Sequence, residues 1–296
     1  MSRFLRENEV SAFLVLVIGL SWIPWYLGSP DVLTAIPSSL ALVMAFAHGG
    51  KGAGMALIRS AVRWRVGWVW WAWACCGMLG IYLVGLGAFA VFGGTVPHFG
   101  VFRTEPLFAP VFLVIVFLPV NGPVGEELGW RGYLLPRLQD GWLGPLGASI
   151  VIGTVWGVWH LPVFFNDTSV QGSLGLGFLL PYIVGTVASS VIMSWLFNRT
   201  GGSVLVAGII WHAATDFWGP LVLTDSLTGG AVAVGRGLYS AVLVILSLVA
   251  VVIAVATRGQ LGYRPPSPDG ATEMSPARLP LTRTARRRSP RPPGRS

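Results

Sequence analysis

Apolar residues in this chain come in long unbroken runs rather than in alternation with polar ones. The runs cover about residues 10–27, 32–48, 68–92, 107–121, 143–165, 176–197, 203–219 and 238–257. Strict alternation would indicate half-buried strands, whereas continuous runs approaching 20 residues predict helices that cross a bilayer. Inside hydrocarbon the backbone must satisfy its own hydrogen bonds, which a helix does within one segment. The expected fold is therefore all-α, a polytopic membrane helix bundle of about eight transmembrane helices. The fourth and seventh runs are short, and the segment 123–139 is expected to continue the fourth as a helix with a break. The first run follows Arg3 and Arg6, as a signal peptide would, but it lacks a small-residue cleavage site and is read as a retained span.

Composition agrees with that reading. Hydrophobic residues make up 53% of the 296 and charged residues only 11%, far below the roughly 25% of a soluble domain. Mean hydropathy is +0.68. The formal charge of +8 is unevenly placed: nine arginines stand from Arg258 onward against Asp269 and Glu273, which leaves the rest of the chain near +1. The basic balance is thus a property of the last residues and does not indicate a nucleic-acid-binding domain. The expected organisation is one membrane-embedded domain over residues 1–257, with a motif-bearing core at about 107–219, and a disordered basic tail over 258–296. Cys75 and Cys76 are adjacent in an apolar run and cannot build a disulfide framework. The preference for arginine over lysine, with abundant Ala, Gly and Val, suggests a high-GC bacterial source.

Arginine and lysine also assign the two faces. With eight spans, one face receives Arg3, Arg6, Lys51, Arg59, Arg63, Arg65, Arg131, Arg137, Arg199 and the tail. The other receives only Arg103 and Arg236. The expected location is a cell membrane, with both termini cytoplasmic.

Ionisable residues in apolar helices carry the candidate chemistry. Glu126, Glu127 and Arg131 stand in Gly-Pro-Val-Gly-Glu-Glu-Leu-Gly-Trp-Arg, His160 in Trp-Gly-Val-Trp-His-Leu-Pro, and His212 and Asp216 in Trp-His-Ala-Ala-Thr-Asp. Left unpaired at the bilayer centre, the four charged members would cost about 10 kcal/mol on insertion scales. They must pair, face a wet cavity, or both. Glu127 and Arg131 are four apart and are expected to form a salt bridge. Glu126 is rotated about 100° from Glu127 and is free to face elsewhere. His212 and Asp216 share a face. His48 and His98 are read as structural. A carboxylate with imidazoles can bind zinc or another divalent ion, with Glu126, His160 and His212 as the candidate ligands, or can activate water with no metal. No His-Glu-x-x-His helix, nucleophile-elbow serine or aspartate pair competes with that reading.

At these residues the chain resembles the CPBP family, also called the Abi or CAAX-protease family of intramembrane peptidases. Glu126-Glu127-x-x-x-Arg131 matches its first motif in full, Trp156-x-x-x-His160 its second with Trp for Phe, and His212-x-x-x-Asp216 its third with Asp for Asn. The resemblance implies hydrolysis of a peptide bond near the membrane face, with relatives that trim prenylated tails or serve bacteriocin maturation and immunity. It implies that Glu126 and His160 activate water, that Glu127 and Arg131 hold Glu126 in place, and that His212 and residue 216 stabilise the oxyanion. The implied partners are the lipid bilayer and a peptide or protein substrate, lipidated in some relatives. An ionised carboxylate cannot donate to an oxyanion as an amide can, so Asp216 is expected instead to orient His212. Intramembrane Glu, His and Asp also serve proton-coupled transporters, and a non-catalytic scaffold that binds peptides or prenyl chains is a further alternative.

Overall fold

The computed structural model describes residues 8–96, 122–223 and 235–265, and every regular element among them is helical. The predicted fourth span, 107–121, and His98 lie outside the described residues. The other seven predicted spans each coincide with helix. α1 is Glu9–Ser21, followed by a helical turn at Ile23–Tyr26. Pro24 lacks the N–H an uninterrupted helix would use, which divides the predicted 10–27 run. α2 is Ile36–Ala61 and α3 is Trp68–Val91. α2 extends well past its predicted end, with a kink at Gly50, whose φ of 66° and ψ of −165° suit only glycine.

α4, Gly122–Glu127, runs through a π-helical segment, Leu128–Leu134, into α5, Leu135–Gln139. This is the broken helix expected over 123–139. α6 is Gly144–Trp159, closed by a 3₁₀ turn at Leu161–Phe165 where Pro162 interrupts the ladder. α7 is the short Val170–Leu174, and α8 is Leu179–Arg199. A second π-helical segment, Leu205–Ile210, leads into α9, Trp211–Leu223. α10 is Arg236–Ala256. Among the described residues, five helical stretches are long and apolar enough to cross a membrane: Ile36–Ala61, Trp68–Val91, Gly144–Phe165, Leu176–Arg199 and Arg236–Ala256. The protein is a multi-pass membrane helix bundle.

Helices in lipid gain little from burying apolar surface and associate through close packing at small residues. α6 and α8 meet this way. A Cβ added to Gly153 would lie 2.4 Å from the backbone of Val187, and one on Gly157 2.6 Å from Thr186 Oγ1. Thr186 Oγ1 donates across this seam to the Gly153 carbonyl at 2.8 Å. Gly153→Val is expected to destabilise the protein by about 1–3 kcal/mol through overpacking, read as a lower thermal midpoint in detergent. α3, α8 and α10 pack together beside this pair, while the α4–α5 unit lies on α2.

At the far end of the α4–α5 unit from Glu126, a partly buried carboxylate ties three elements together. Glu9 of α1 contacts His48 Nδ1 at 3.2 Å, Tyr133 Oη at 3.3 Å and Arg137 Nε at 3.1 Å. His48 is thus structural, as expected. Nothing in the sequence linked it to Glu9, Tyr133 and Arg137, which come together only when α1, α2 and the α4–α5 unit pack.

Candidate active site

Three separate parts of the fold bring Glu126, His160, His212 and Asp216 to one cavity, with Glu127 and Arg131 buried behind it. Glu126 and Glu127 come from the end of α4 and Arg131 from the π segment that follows. His160 ends α6, and His212 and Asp216 lie in the first turns of α9. Both motif helices carry π turns beside these residues, a feature common at functional sites because the extra residue per turn re-aims side chains.

Glu127 and Arg131 are fully buried and paired. Arg131 Nη1 donates to Glu127 Oε1 at 3.0 Å and lies 3.0 Å from Oε2. The Arg131 guanidinium also stacks over Trp156, 4.8 Å from the ring centroid. Glu127 Oε1 further accepts from His212 Nδ1 at 2.9 Å. Glu127 therefore joins α4 to α9. Gly208 makes room for it, since a Cβ there would stand 2.9 Å from Glu127 Cβ.

Glu126 faces the other way, as its rotation predicts. Its Oε2 accepts from Trp156 Nε1 at 2.7 Å, a charge-assisted bond that fixes the carboxylate. His160 Nδ1 stands 2.8 Å from the Trp156 carbonyl. A carbonyl can only accept, so Nδ1 carries the hydrogen and Nε2 is the ring's acceptor. The His160 ring is held edge-on by Trp159 and Tyr182, with centroids 4.8 and 5.4 Å away. The Trp156 ring packs on His212 at 5.2 Å and on His160 at 5.9 Å. One indole thus touches every member of the site except Glu127 and Asp216. Sequence reasoning saw Trp156 only as a departure from Phe at a motif position. The overlooked signal was the indole N–H, which phenylalanine lacks.

His212 Nε2 lies 3.5 Å from Asp216 Oδ2, so a carboxylate faces each ring nitrogen. This bears on metal binding. Glu126, His160 and His212 do not converge as ligands in this arrangement, because both nitrogens of His212 are directed at carboxylates. Among the described residues no group of three or more His, Cys, Asp and Glu side chains is set to hold a metal ion. A divalent ion would require His212 to release one carboxylate.

Glu126, Trp156, His160, His212 and Asp216 line a cavity of about 300 Å³. Its opposite wall is apolar or phenolic, with Met78 and Tyr82 of α3, Tyr182 of α8, and Tyr239, Val242 and Leu246 of α10. These wall residues were not legible beforehand, since each belongs to an ordinary apolar run. Residues 106–218, which contain all six predicted site residues, match the family model described as type II CAAX prenyl endopeptidase Rce1-like. Over this segment the chain is similar to the Rce1-like CAAX prenyl endopeptidase family. CAAX prenyl protease 2 of Methanococcus maripaludis is 31% identical to the chain over 124 residues. The alignment covers 41% of this chain and 45% of the relative, so the chain spans less than half the length of that protein. The match covers the segment that carries the polar side of the cavity and excludes α1 to α3 and α10 entirely.

Proposed function

We propose that this protein is an intramembrane endopeptidase in which Glu126, with His160, activates water against a peptide carbonyl. The observation that carries the reading is the convergence of Glu126, His160, His212 and Asp216 on one cavity within the membrane helices. The Glu126 carboxylate takes a proton from water as the oxygen adds to the carbonyl carbon, and His160 Nε2 accepts a second hydrogen bond from that water. The carbonyl oxygen becomes an oxyanion. His212 Nε2–H, loosely held by Asp216 at 3.5 Å, is the donor that can turn to it. Collapse breaks the C–N bond, and Glu126 returns its proton to the leaving amine. No step runs through a metal. The apolar wall of Met78, Val242 and Leu246 suits a hydrophobic side chain or a lipid attached to the peptide. The relative's name, CAAX prenyl protease 2, is in keeping with that.

Incubating the purified protein with a peptide library, including prenylated members, tests the reading. Cleavage is expected; proton flux in liposomes that depends on Glu126, without any cleavage, would replace the peptidase by a transporter. Trp156→Phe keeps the ring packing but removes the N–H to Glu126. A hydrogen bond to a charged group contributes about 1.5–3 kcal/mol, so kcat is expected to fall tenfold or more with little change in KM. Asp216→Asn leaves an acceptor for His212 but no charge. Orienting partners of this kind cost about 10–100-fold when changed, and full activity in this variant would remove the carboxylate from the account.

A further inference from the structure

A second cavity, of about 350 Å³, lies where α5 and α8 end and the chain returns after α10. Gln139, Asn198, Arg199, Gly202, Tyr263 and Arg264 are among its lining residues, and it shares none with the active-site cavity. Specific contacts build it. Asn198 Nδ2 donates to the Leu261 carbonyl at 3.2 Å, the Leu261 N–H donates to Thr257 Oγ1 at 3.1 Å, and Tyr263 Oη donates to Asp140 Oδ1. The stem of Arg199 lies on Gly262, where an added Cβ would stand 2.7 Å from Arg199 Cδ.

Two guanidiniums, those of Arg199 and Arg264, border this cavity, and no carboxylate is among the described residues that line it. A third guanidinium stands behind the glycine turn. A Cβ on Gly201 would lie 3.9 Å from Arg63 Nη1, and Arg63 Nε is buried with no hydrogen-bond partner among the described residues. The C-terminal ends of α5 and α8 each bring about −0.5 of a charge, which the three guanidiniums outweigh. Gln139 adds a neutral acceptor: it is 4% exposed, and its Oε1 has no hydrogen-bond partner among the described residues. Buried polar atoms are nearly always paired, so this one marks a place for a donor. An anion answers the guanidiniums, and either a hydroxyl or an ammonium would answer Gln139. An ammonium beside guanidiniums is disfavoured by like charge, which leaves a hydroxyl. Planar guanidiniums match the geometry of phosphate, and the cavity lies at the level where phosphates are found. It begins at the last residue of the membrane-crossing stretch Leu176–Arg199. Arg199 lies over Trp70 at 5.9 Å, and tryptophan is enriched at the headgroup level of a bilayer. Basic pockets between transmembrane helices take phospholipid headgroups.

We propose that this second cavity binds the phosphoglycerol headgroup of an anionic phospholipid, with the phosphate on Arg199 and Arg264 and a glycerol hydroxyl donating to Gln139. A soluble glycerol phosphate carries the same groups, and the experiment separates the two sources. Bound there, the lipid joins the end of α5 to α8 and to the segment after α10. It thereby holds the broken helix that carries Glu126 and Glu127 against the rest of the bundle. The binding does not depend on the peptidase reading.

The test uses the full chain purified in detergent. Native mass spectrometry reads the lipid retained, and a thermal melt reads the stabilisation that binding to the folded state confers. A single phosphatidylglycerol is expected to stay bound and to raise the thermal midpoint above that in phosphatidylcholine. Phosphatidylmethanol, which has the charge but no hydroxyl, is expected to bind more weakly. Arg199→Gln and Arg264→Gln are each expected to weaken phosphatidylglycerol binding about fivefold, the worth of one basic group near anionic headgroups. Gln139→Leu is expected to bind phosphatidylglycerol no better than phosphatidylmethanol while still preferring both to phosphatidylcholine. Equal retention of phosphatidylglycerol and phosphatidylcholine by the unmodified protein, or phosphatidylglycerol binding unchanged in the double arginine variant, overturns the site. Equal binding of phosphatidylglycerol and phosphatidylmethanol by the unmodified protein overturns the glycerol contact. Stabilisation by glycerol 1-phosphate with none by phosphatidylglycerol overturns the lipid as the ligand. If Gln139→Leu fails to fold, the comparison of the two anionic lipids on the unmodified protein still decides the glycerol contact, and Arg264→Gln, at an exposed position, still decides the phosphate.

Discussion

Glu126→Gln is expected to lower peptide cleavage by about 10²–10⁴-fold, the span associated with loss of a general base, without loosening the fold. Glutamine keeps the size of the side chain and an oxygen for the Trp156 N–H, now at 2.7 Å from Oε2. What it cannot do is take a proton from water. Glu126 is 2% exposed and its carboxylate is not part of the Glu127–Arg131 pair, so the substitution leaves no charge stranded. Product formation measured by mass spectrometry, beside a thermal melt in detergent, separates the two effects. A variant that cleaves at the wild-type rate removes Glu126 from the chemistry, and one that unfolds would give the residue a structural task the contacts do not show.

Glu127→Ala is expected to act in the opposite way, chiefly on stability. Glu127 and Arg131 are both 0% exposed. A buried ion pair adds little over a well-packed apolar pair, but removing one partner leaves the other charge uncompensated, at a cost of about 3–5 kcal/mol. The loss is compounded here because the same carboxylate accepts from His212 at 2.9 Å. The alanine variant should therefore unfold at a markedly lower temperature in detergent and lose activity with it. Glu127→Gln, which retains the shape and an acceptor, should recover part of the stability. An alanine variant as stable as the parent would mean that Glu127 does not brace α4 against α9.

The helical class and most of the spans could be read from the runs because a helix crossing hydrocarbon must be apolar along its whole length. The pairing of Glu127 with Arg131 was readable because partners four apart share a helix face whatever the tertiary structure. The contacts between helices were not. Glu127 to His212 and Glu126 to Trp156 depend on how α4, α6 and α9 are rotated against one another, and that register is set by small residues such as Gly153 and Gly208, whose roles show only at the contact. The two π segments were equally hidden, since Leu128–Leu134 and Leu205–Ile210 carry no residue that marks an i to i+5 turn. The early end assigned to α2 has a simple cause: Gly49, Gly50 and Lys51 read as a loop, whereas Gly50 permits a kink and the helix resumes.

The decisive experiment is a single turnover in ¹⁸O-labelled water, followed by mass spectrometry of both the peptide product and the protein. If a water held by Glu126 and His160 attacks the carbonyl directly, the heavy oxygen enters the new peptide carboxylate and none enters Glu126. Heavy oxygen recovered in the Glu126 side chain would instead show that its own oxygen attacked the peptide, and would contradict the account.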